Sequence, residues 1–470
     1  MIFTLLAVLL AAAPAAPSIP DTPAGRHARA WLDAYSRDEA AMRRFHETHW
    51  TAEALTRRPV AERLEQWRQM HDELGALTLA RADADGPDRV MLGLVAEHGA
   101  EVEVSFESEP GGERRLVRSG VQVEQGGGPG AAAGPPPGGP GVRRAMSQPP
   151  AGLPITVAAM RDSIDRALDE LTRADRFSGV VQIVRGDDTL YARATGWADR
   201  RNGVPNRIDT RFNLGSIDKL FTQIAIAQLE ERGLLSRSDT LSKHLSDLPA
   251  SVASRITIDQ ILHHRSGLGD FFGPEFERAD KGQYRTLRNY LPLFKDHPLE
   301  FEPGTRSRYS NAGYIVLGLV IEKLTGMSYH DYVRERIFRP AGMDDTGALE
   351  SDVPEPRVAM GYTRRAGEGL RENIYTRPAR GTSAGGGYST ARDLVRLAAA
   401  LKAGKLLSPE AARRTVGEAG MFAGGAPGIN GAVGMDLERG ETLVVLANLD
   451  PPSAEGLAER IRGWLRRARA

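Results

Sequence analysis

Two short motifs in this chain carry side chains that could do chemistry together: Ser216-Ile217-Asp218-Lys219 and Tyr309-Ser310-Asn311. Between them they supply a hydroxyl nucleophile, an ammonium three residues on, a phenol able to act as base and an amide able to hold a substrate. Those are the parts of a serine acyl-transfer site with no histidine in the relay. A free serine hydroxyl is a poor nucleophile, and either a deprotonated Lys219 or a tyrosinate at Tyr309 would activate it. Free tyrosine and lysine side chains both titrate near ~10, so burial or mutual proximity must perturb whichever acts as base, and a strongly coupled pair titrates jointly.

Taken alone, each motif is weak, because a serine at a helix start is commonly a cap and a lysine one turn on commonly a solvated face. The flanking residues add position. Leu220, Ile224, Ala227 and Leu229 continue at helical spacing, which predicts Ser216 in the first turn of a buried helix whose positive end favours negative charge there. Lys219 then shares a helical face with Ser216. Tyr309-Ser310-Asn311 follows a Pro303-Gly304 turn and precedes Ile315, Leu317, Leu319 and Val320, predicting a helix capped at Asn311.

The chain has 470 residues, enough for two or three domains. Its 61 basic and 61 acidic residues balance, which argues against nucleic acid or an anionic membrane surface as partner. Cysteine is absent, excluding disulfides, thiolate chemistry and Cys-ligated zinc. Residues 1–16 read as a signal peptide, a short apolar run followed by small residues, though no Lys or Arg precedes the run. Export to the periplasm or medium is expected, with no stable membrane insertion after cleavage.

Residues 126–152 are Gly-, Ala- and Pro-rich with almost nothing large and apolar to bury, a linker. Residues 25–125 before it read as a small α+β domain. Ser36-x-x-Glu39 is a candidate capping box; Leu64, Trp67, Met70 and Leu74 fall at helical spacing; four strand-like runs follow, with Val102, Val104 and Phe106 alternating with polar residues. Trp31, Phe45 and Trp67 form its expected core. This half faintly resembles the NTF2-like folds. Residues 153–470 begin with a helix near 157–172 and a hairpin, continue through a mostly helical centre to about Met343, and return to strand at 442–447 before a last helix. Strands at both ends must therefore meet in one sheet, with the helical block inserted between them and a cleft where the two join.

The wider text extends the two motifs: Phe212-Asn213-Leu214-Gly215-Ser216, His263-His264-Arg265-Ser266-Gly267-Leu268, Tyr309-Ser310-Asn311-Ala312-Gly313-Tyr314, Pro340-Ala341-Gly342-Met343 and Ala384-Gly385-Gly386-Gly387-Tyr388-Ser389. In order and spacing this closely resembles the class C β-lactamase-related family of β-lactamases, D-alanyl-D-alanine carboxypeptidases, D-aminopeptidases and esterases, over about residues 154–450. The resemblance implies an α+β fold, an antiparallel sheet flanked by helices with an all-helical lobe. It implies Ser216 as acylated nucleophile, Lys219 and Tyr309 as its proton-transfer partners, and Asn311 as a contact to substrate or to Lys219. Relatives carry Lys-Thr-Gly, Lys-Ser-Gly or His-x-Gly as a third motif on a strand lining the cleft; here the matching place is Phe422-Ala423-Gly424, and the cation is gone. By the same resemblance Gly425 N–H joins that of Ser216 as oxyanion hole, a role that needs no particular side chain, whereas Phe422 cannot attract a substrate carboxylate.

The expectation is a serine hydrolase acting on a small ester or amide, esterase favoured, with no cofactor and no metal. His263, His264 and Asp270 sit in a Ser-Gly turn context that reads as structural, and Gly385-Gly386-Gly387 as a tight backbone passage before a Ser389-capped helix. A catalytically impaired binding protein on the same scaffold, and a D-amino-acid peptidase or β-lactamase, are the alternatives.

Overall fold

The structure, a computed structural model, describes residues 18–57, 59–84, 87–96, 101–109, 115–124, 155–353, 355–365, 369–417 and 419–469. The expected signal peptide and linker lie outside these. The described residues fall into two compact units, divided within the 126–152 stretch.

In the first unit, α1 (Pro23–Tyr35), α2 (Glu39–His49), α3 (Ala52–Arg57) and α4 (Val60–Leu74) precede an antiparallel meander of β1 (Leu77–Ala84), β2 (Arg89–Ala96), β3 (Glu101–Ser108) and β4 (Leu116–Glu124). Val102, Val104 and Phe106 alternate inward, and Trp31, Phe45, Trp67 and Leu64 are buried with them, so the helices cover one face of the sheet. The capping box is not formed. Ser36 closes α1 instead, and Asp38 opens α2 by accepting from Ala41 N at 2.7 Å. A cap is chosen by where the preceding helix stops, which the Ser-x-x-Glu pattern alone does not contain.

The second unit opens with α5 (Val157–Arg173), capped by Thr156, and the hairpin of β5 (Gly179–Arg185) and β6 (Asp188–Thr195). The short β7 (Phe212–Asn213) leads to the 3₁₀ turn Gly215–Asp218 and α6 (Lys219–Glu231). The helical centre includes α7 (Asn311–Thr325) and α8 (Tyr329–Val333). Then follow β8 (Tyr388–Ser389), α9 (Ala391–Lys402), α10 (Pro409–Val416), β9 (Ala419–Ala426), β10 (Ile429–Asp436), β11 (Glu441–Ala447) and α11 (Glu455–Arg467).

The sheet order is β9-β10-β11-β5-β6, all antiparallel; β11 pairs β5 with Val181 opposite Val445, joining the two ends of the unit as expected. One face buries Val181, Ile183 and Val445 against α5 and α11, and the other buries Val180, Val444 and Leu446 against α6 and α9. Strands covered on both faces read as near-continuous apolar runs, as 442–447 does. β9 is an edge strand, and the helix α10 stands immediately before it in the chain. Among the described residues no helix is long and apolar enough to cross a membrane.

Candidate active site

Ser216 is set by two backbone runs zipped together. Phe212 and Asn213 pair with Ser389 and Tyr388, Leu214 N donates to Gly387 O at 2.8 Å, and Gly386 N donates to Gly215 O at 3.2 Å. Gly215 turns the chain at φ +51°, conformational space that glycine enters without a Cβ penalty. A Cβ on Gly385 would stand 2.8 Å from Gly215 O, so the Gly-rich run is the tight passage the sequence indicates. The helix after it is capped by Thr390, not Ser389. Ser216 lies in the 3₁₀ turn ahead of α6, whose first residue is Lys219, rather than within the α-helix itself. In a 3₁₀ turn residues i and i+3 eclipse, so Ser216 and Lys219 still share a side.

Lys219 is 5% exposed. Its Nζ lies 3.2 Å from Ser216 Oγ and 2.7 Å from Asn311 Oδ1, and also donates to Ala384 O. Tyr309 reaches Ser216 from the opposite lobe: its Oη donates to Ser216 Oγ at 2.6 Å, and its ring lies 4.7 Å from Lys219 Nζ. At 40% exposure Tyr309 is the solvent-facing member of the trio.

Asn311 is free to face Lys219 because Ser310 takes the cap of α7, accepting from Gly313 N at 3.0 Å and donating to Gly269 O at 2.7 Å. Asn311 Nδ2 donates to Asp270 Oδ2 at 2.8 Å, which fixes the amide so that its oxygen meets Lys219. His264, 4.5 Å from the Tyr309 ring between centroids, accepts from Ser310 N at 3.2 Å through Nδ1. Burial first, then the neighbouring Lys219 and His263, push it down to about 3, so it supports the tyrosine as a neutral ring. His263 turns instead to Asp259. The trio His263, His264 and Asp270 therefore diverges, and two of its members position the site. Ala384 O, Asp270 and His264 are the groups that motif reading did not assign. The position of His264 inside the His263–Leu268 motif, and of Asp270 two residues beyond its end, was the signal available.

On β9, Phe422 and Gly424 share a face. Phe422 is partly buried against the main core, and Gly424 is buried against the nucleophile's turn, where a Cβ would collide with Leu214 O and stand 2.8 Å from Ser216 N. Gly425 N lies 3.1 Å from the place of a Cβ on Gly215. The edge strand thus runs directly past Gly215–Ser216, with the backbone of Gly424 and Gly425 packed against the nucleophile's turn.

An antiparallel sheet between helices, with a serine, lysine and tyrosine meeting at its edge, defines a serine hydrolase of the transpeptidase type. A family model described as Beta-lactamase matches residues 164–466, and the chain belongs to the β-lactamase family. Penicillin-binding protein 4* of Bacillus subtilis (strain 168) is 32% identical over 207 residues, 43% of this chain and 45% of that protein, so the chain spans about half its length. Esterase EstB of Burkholderia gladioli is 31% identical over 307 residues, 57% of this chain and 78% of that protein. The solved structure of a penicillin binding protein from Bacillus halodurans matches with a TM-score of 0.58 and 30% identity, covering 63% of this chain and 99% of that one. The family match begins beyond the first unit.

Proposed function

We propose that the protein is an esterase that works through an acyl-Ser216 intermediate, and the observation that carries this is the meeting of Tyr309 Oη and Lys219 Nζ on one serine oxygen. Ser216 Oγ attacks the ester carbonyl, and its proton passes to the Tyr309–Lys219 pair. The active state has one proton fewer than full protonation of the trio. Tyrosinate with ammonium, and phenol with amine, differ only in where one proton sits along the Tyr309–Ser216–Lys219 chain, so the pair acts as one base. The N–H groups of Ser216 and Gly425 receive the oxyanion. Collapse breaks the ester bond, and the departing alkoxide takes the proton from the exposed Tyr309. Water repeats the sequence to release the acid.

Ester substrates are favoured over carboxylate-bearing peptides because Phe422 stands where relatives place a cation. Phe272, 54% exposed and two residues from Asp270, adds an apolar surface near the helical wall of the site. The similarity to an esterase over 78% of that protein's length supports the same reading. A fluorophosphonate probe tests it: one equivalent should label the wild type and none the Ser216→Ala variant. Equal labelling of both, or of neither, would sink the mechanism.

Phe422→Lys is expected to restore what the third motif lost. A charge-assisted hydrogen bond at a partly exposed site should raise kcat/KM for a D-amino-acid peptide with a free carboxylate about tenfold, leaving a neutral ester unchanged or slower. No gain for the carboxylate substrate would show that position 422 does not set this preference.

A further inference from the structure

Asp218 lies between nucleophile and lysine in sequence, yet the acyl-transfer steps give it nothing to do. It is 4% exposed; Oδ2 accepts from Gly387 N, and Oδ1 has no hydrogen-bond partner among the described residues. It lines a small cavity of about 20 Å³ together with Phe221, Tyr329, His330, Thr346 and Thr382. A buried carboxylate with one oxygen unpaired is costly and is retained where its charge is used.

Among the described residues, the groups facing it are neutral. From α8 come Tyr329, a phenol hydrogen-bonded to Thr222 at 2.8 Å, and His330, which burial pushes down to about 4 and which meets Gly381 O at 2.8 Å. From the passage before β8 comes the Gly387 amide, and from β8 Tyr388, a phenol that accepts from Arg377. Thr346 screens Asp393, whose Oδ2 it meets at 2.9 Å. The cation that acts on it is Lys219, the next residue, whose charge opposes the effect of burial on Asp218 although its ammonium is directed to Ser216, Asn311 and Ala384. The acceptors of Lys219, in turn, are a hydroxyl, an amide and a backbone carbonyl, none of them charged. Geometry ties Asp218 to the passage that holds Lys219: a Cβ on Gly387 would stand 2.5 Å from Asp218 Oδ2, so the carboxylate keeps its present position because residue 387 is a glycine. That glycine belongs to the same passage that presents Ala384 O to Lys219.

We infer that Asp218 is a positioning residue of the proton relay: its carboxylate, held by the Gly387 amide, supplies the negative field that retains the relay's proton and ties the nucleophile's turn to the passage bearing Ala384. This rests on the acyl-transfer reading of the site. Burial, opposed by the Gly387 bond and by Lys219, pushes Asp218 up to about 7, so its charge changes within the working range of a hydrolase. The sign follows. A nearby negative charge strengthens the relay's hold on its proton, and removing that charge weakens it. In the wild type, Asp218 itself gains a proton as the pH falls, so the two events oppose each other and the acidic limb of kcat/KM is shallow.

The test is the pH profile of ester hydrolysis by the wild type, Asp218→Asn and Asp218→Thr, with fluorophosphonate labelling and thermal melting as measures of folding. Wild-type turnover and labelling come first, since their absence would refute the acyl-serine reading and not this one. Both variants should label fully, and their acidic limb should move to lower pH by about one unit and become steeper. Fully labelled variants whose limb keeps its wild-type position and slope would overturn the inference. Failure of both variants to fold would overturn it too, by assigning Asp218 to the fold alone.

Discussion

Lys219→Ala, Tyr309→Phe and the double variant should hydrolyse a neutral ester at nearly the same residual rate. A positioned acid–base group contributes about 10²- to 10⁴-fold, and a pair that shares one proton contributes it once. Each single change should therefore lose most of that factor, and the double should add less than about tenfold, because groups acting as a unit are strongly non-additive. The geometry favours this over independent action: both partners meet the same oxygen, at 3.2 and 2.6 Å. Independent roles would multiply the two losses, and kcat/KM across the four-member cycle reads the difference directly. Stability separates the two singles. Phenylalanine at 309 keeps the ring against His264 and should melt like the wild type. Alanine at 219 leaves Asn311 Oδ1 and Ala384 O without the Lys219 donor, at about 1–3 kcal/mol per unsatisfied group, and removes the positive charge that opposes the effect of burial on Asp218.

The sequence disclosed the reactive residues better than it disclosed their supports, for a physical reason. Ser216 and Lys219 carry distinctive functional groups at a short fixed spacing, and local helical geometry converts that spacing into proximity; Tyr309, 93 positions from Ser216, is tied to them by the motif resemblance and not by spacing. Even the misplacement of Ser216, in a 3₁₀ turn instead of the α-helix, did no harm, because either geometry brings i and i+3 to one side. The supports obey no such rule. Ala384 O is a main-chain atom that any residue could supply, and it meets Lys219 across 165 positions of sequence. Asp270 reaches Asn311 across 41, and His264 reaches Ser310 across 46. Ser310 rather than Asn311 became the cap because a hydroxyl between two loops could also bond Gly269, a contact only the fold creates. The architecture followed the same division. Strands β3, β5 and β11 announced themselves by alternation or by apolar runs, whereas Ala- and Gly-rich β9 has no pattern of its own and was located only through the resemblance.

That patternless strand carries the second large effect. Gly424→Ala should reduce kcat by about 10²- to 10³-fold, the loss expected for one oxyanion donor. The methyl would collide with Leu214 O and stand 2.8 Å from Ser216 N; both obstacles are backbone, so no side chain can swing aside to relieve it. The nucleophile's run cannot retreat, since Gly385–Gly387 is hydrogen-bonded along its other side. The free edge of the sheet must therefore move, and with it Gly425 N. A displacement of about 1 Å in a positioned group is enough to cost 10²-fold, while the strain itself should cost stability by about 1–3 kcal/mol. Loss of the donor weakens the transition state more than the bound ester, so kcat should fall with KM little changed, and fluorophosphonate labelling should slow in parallel. Ala423→Ser, one residue away on the exposed face, is the control and should change the rate less than twofold. If Gly424→Ala matched that control, the oxyanion would have to be held somewhere other than between Ser216 and Gly425.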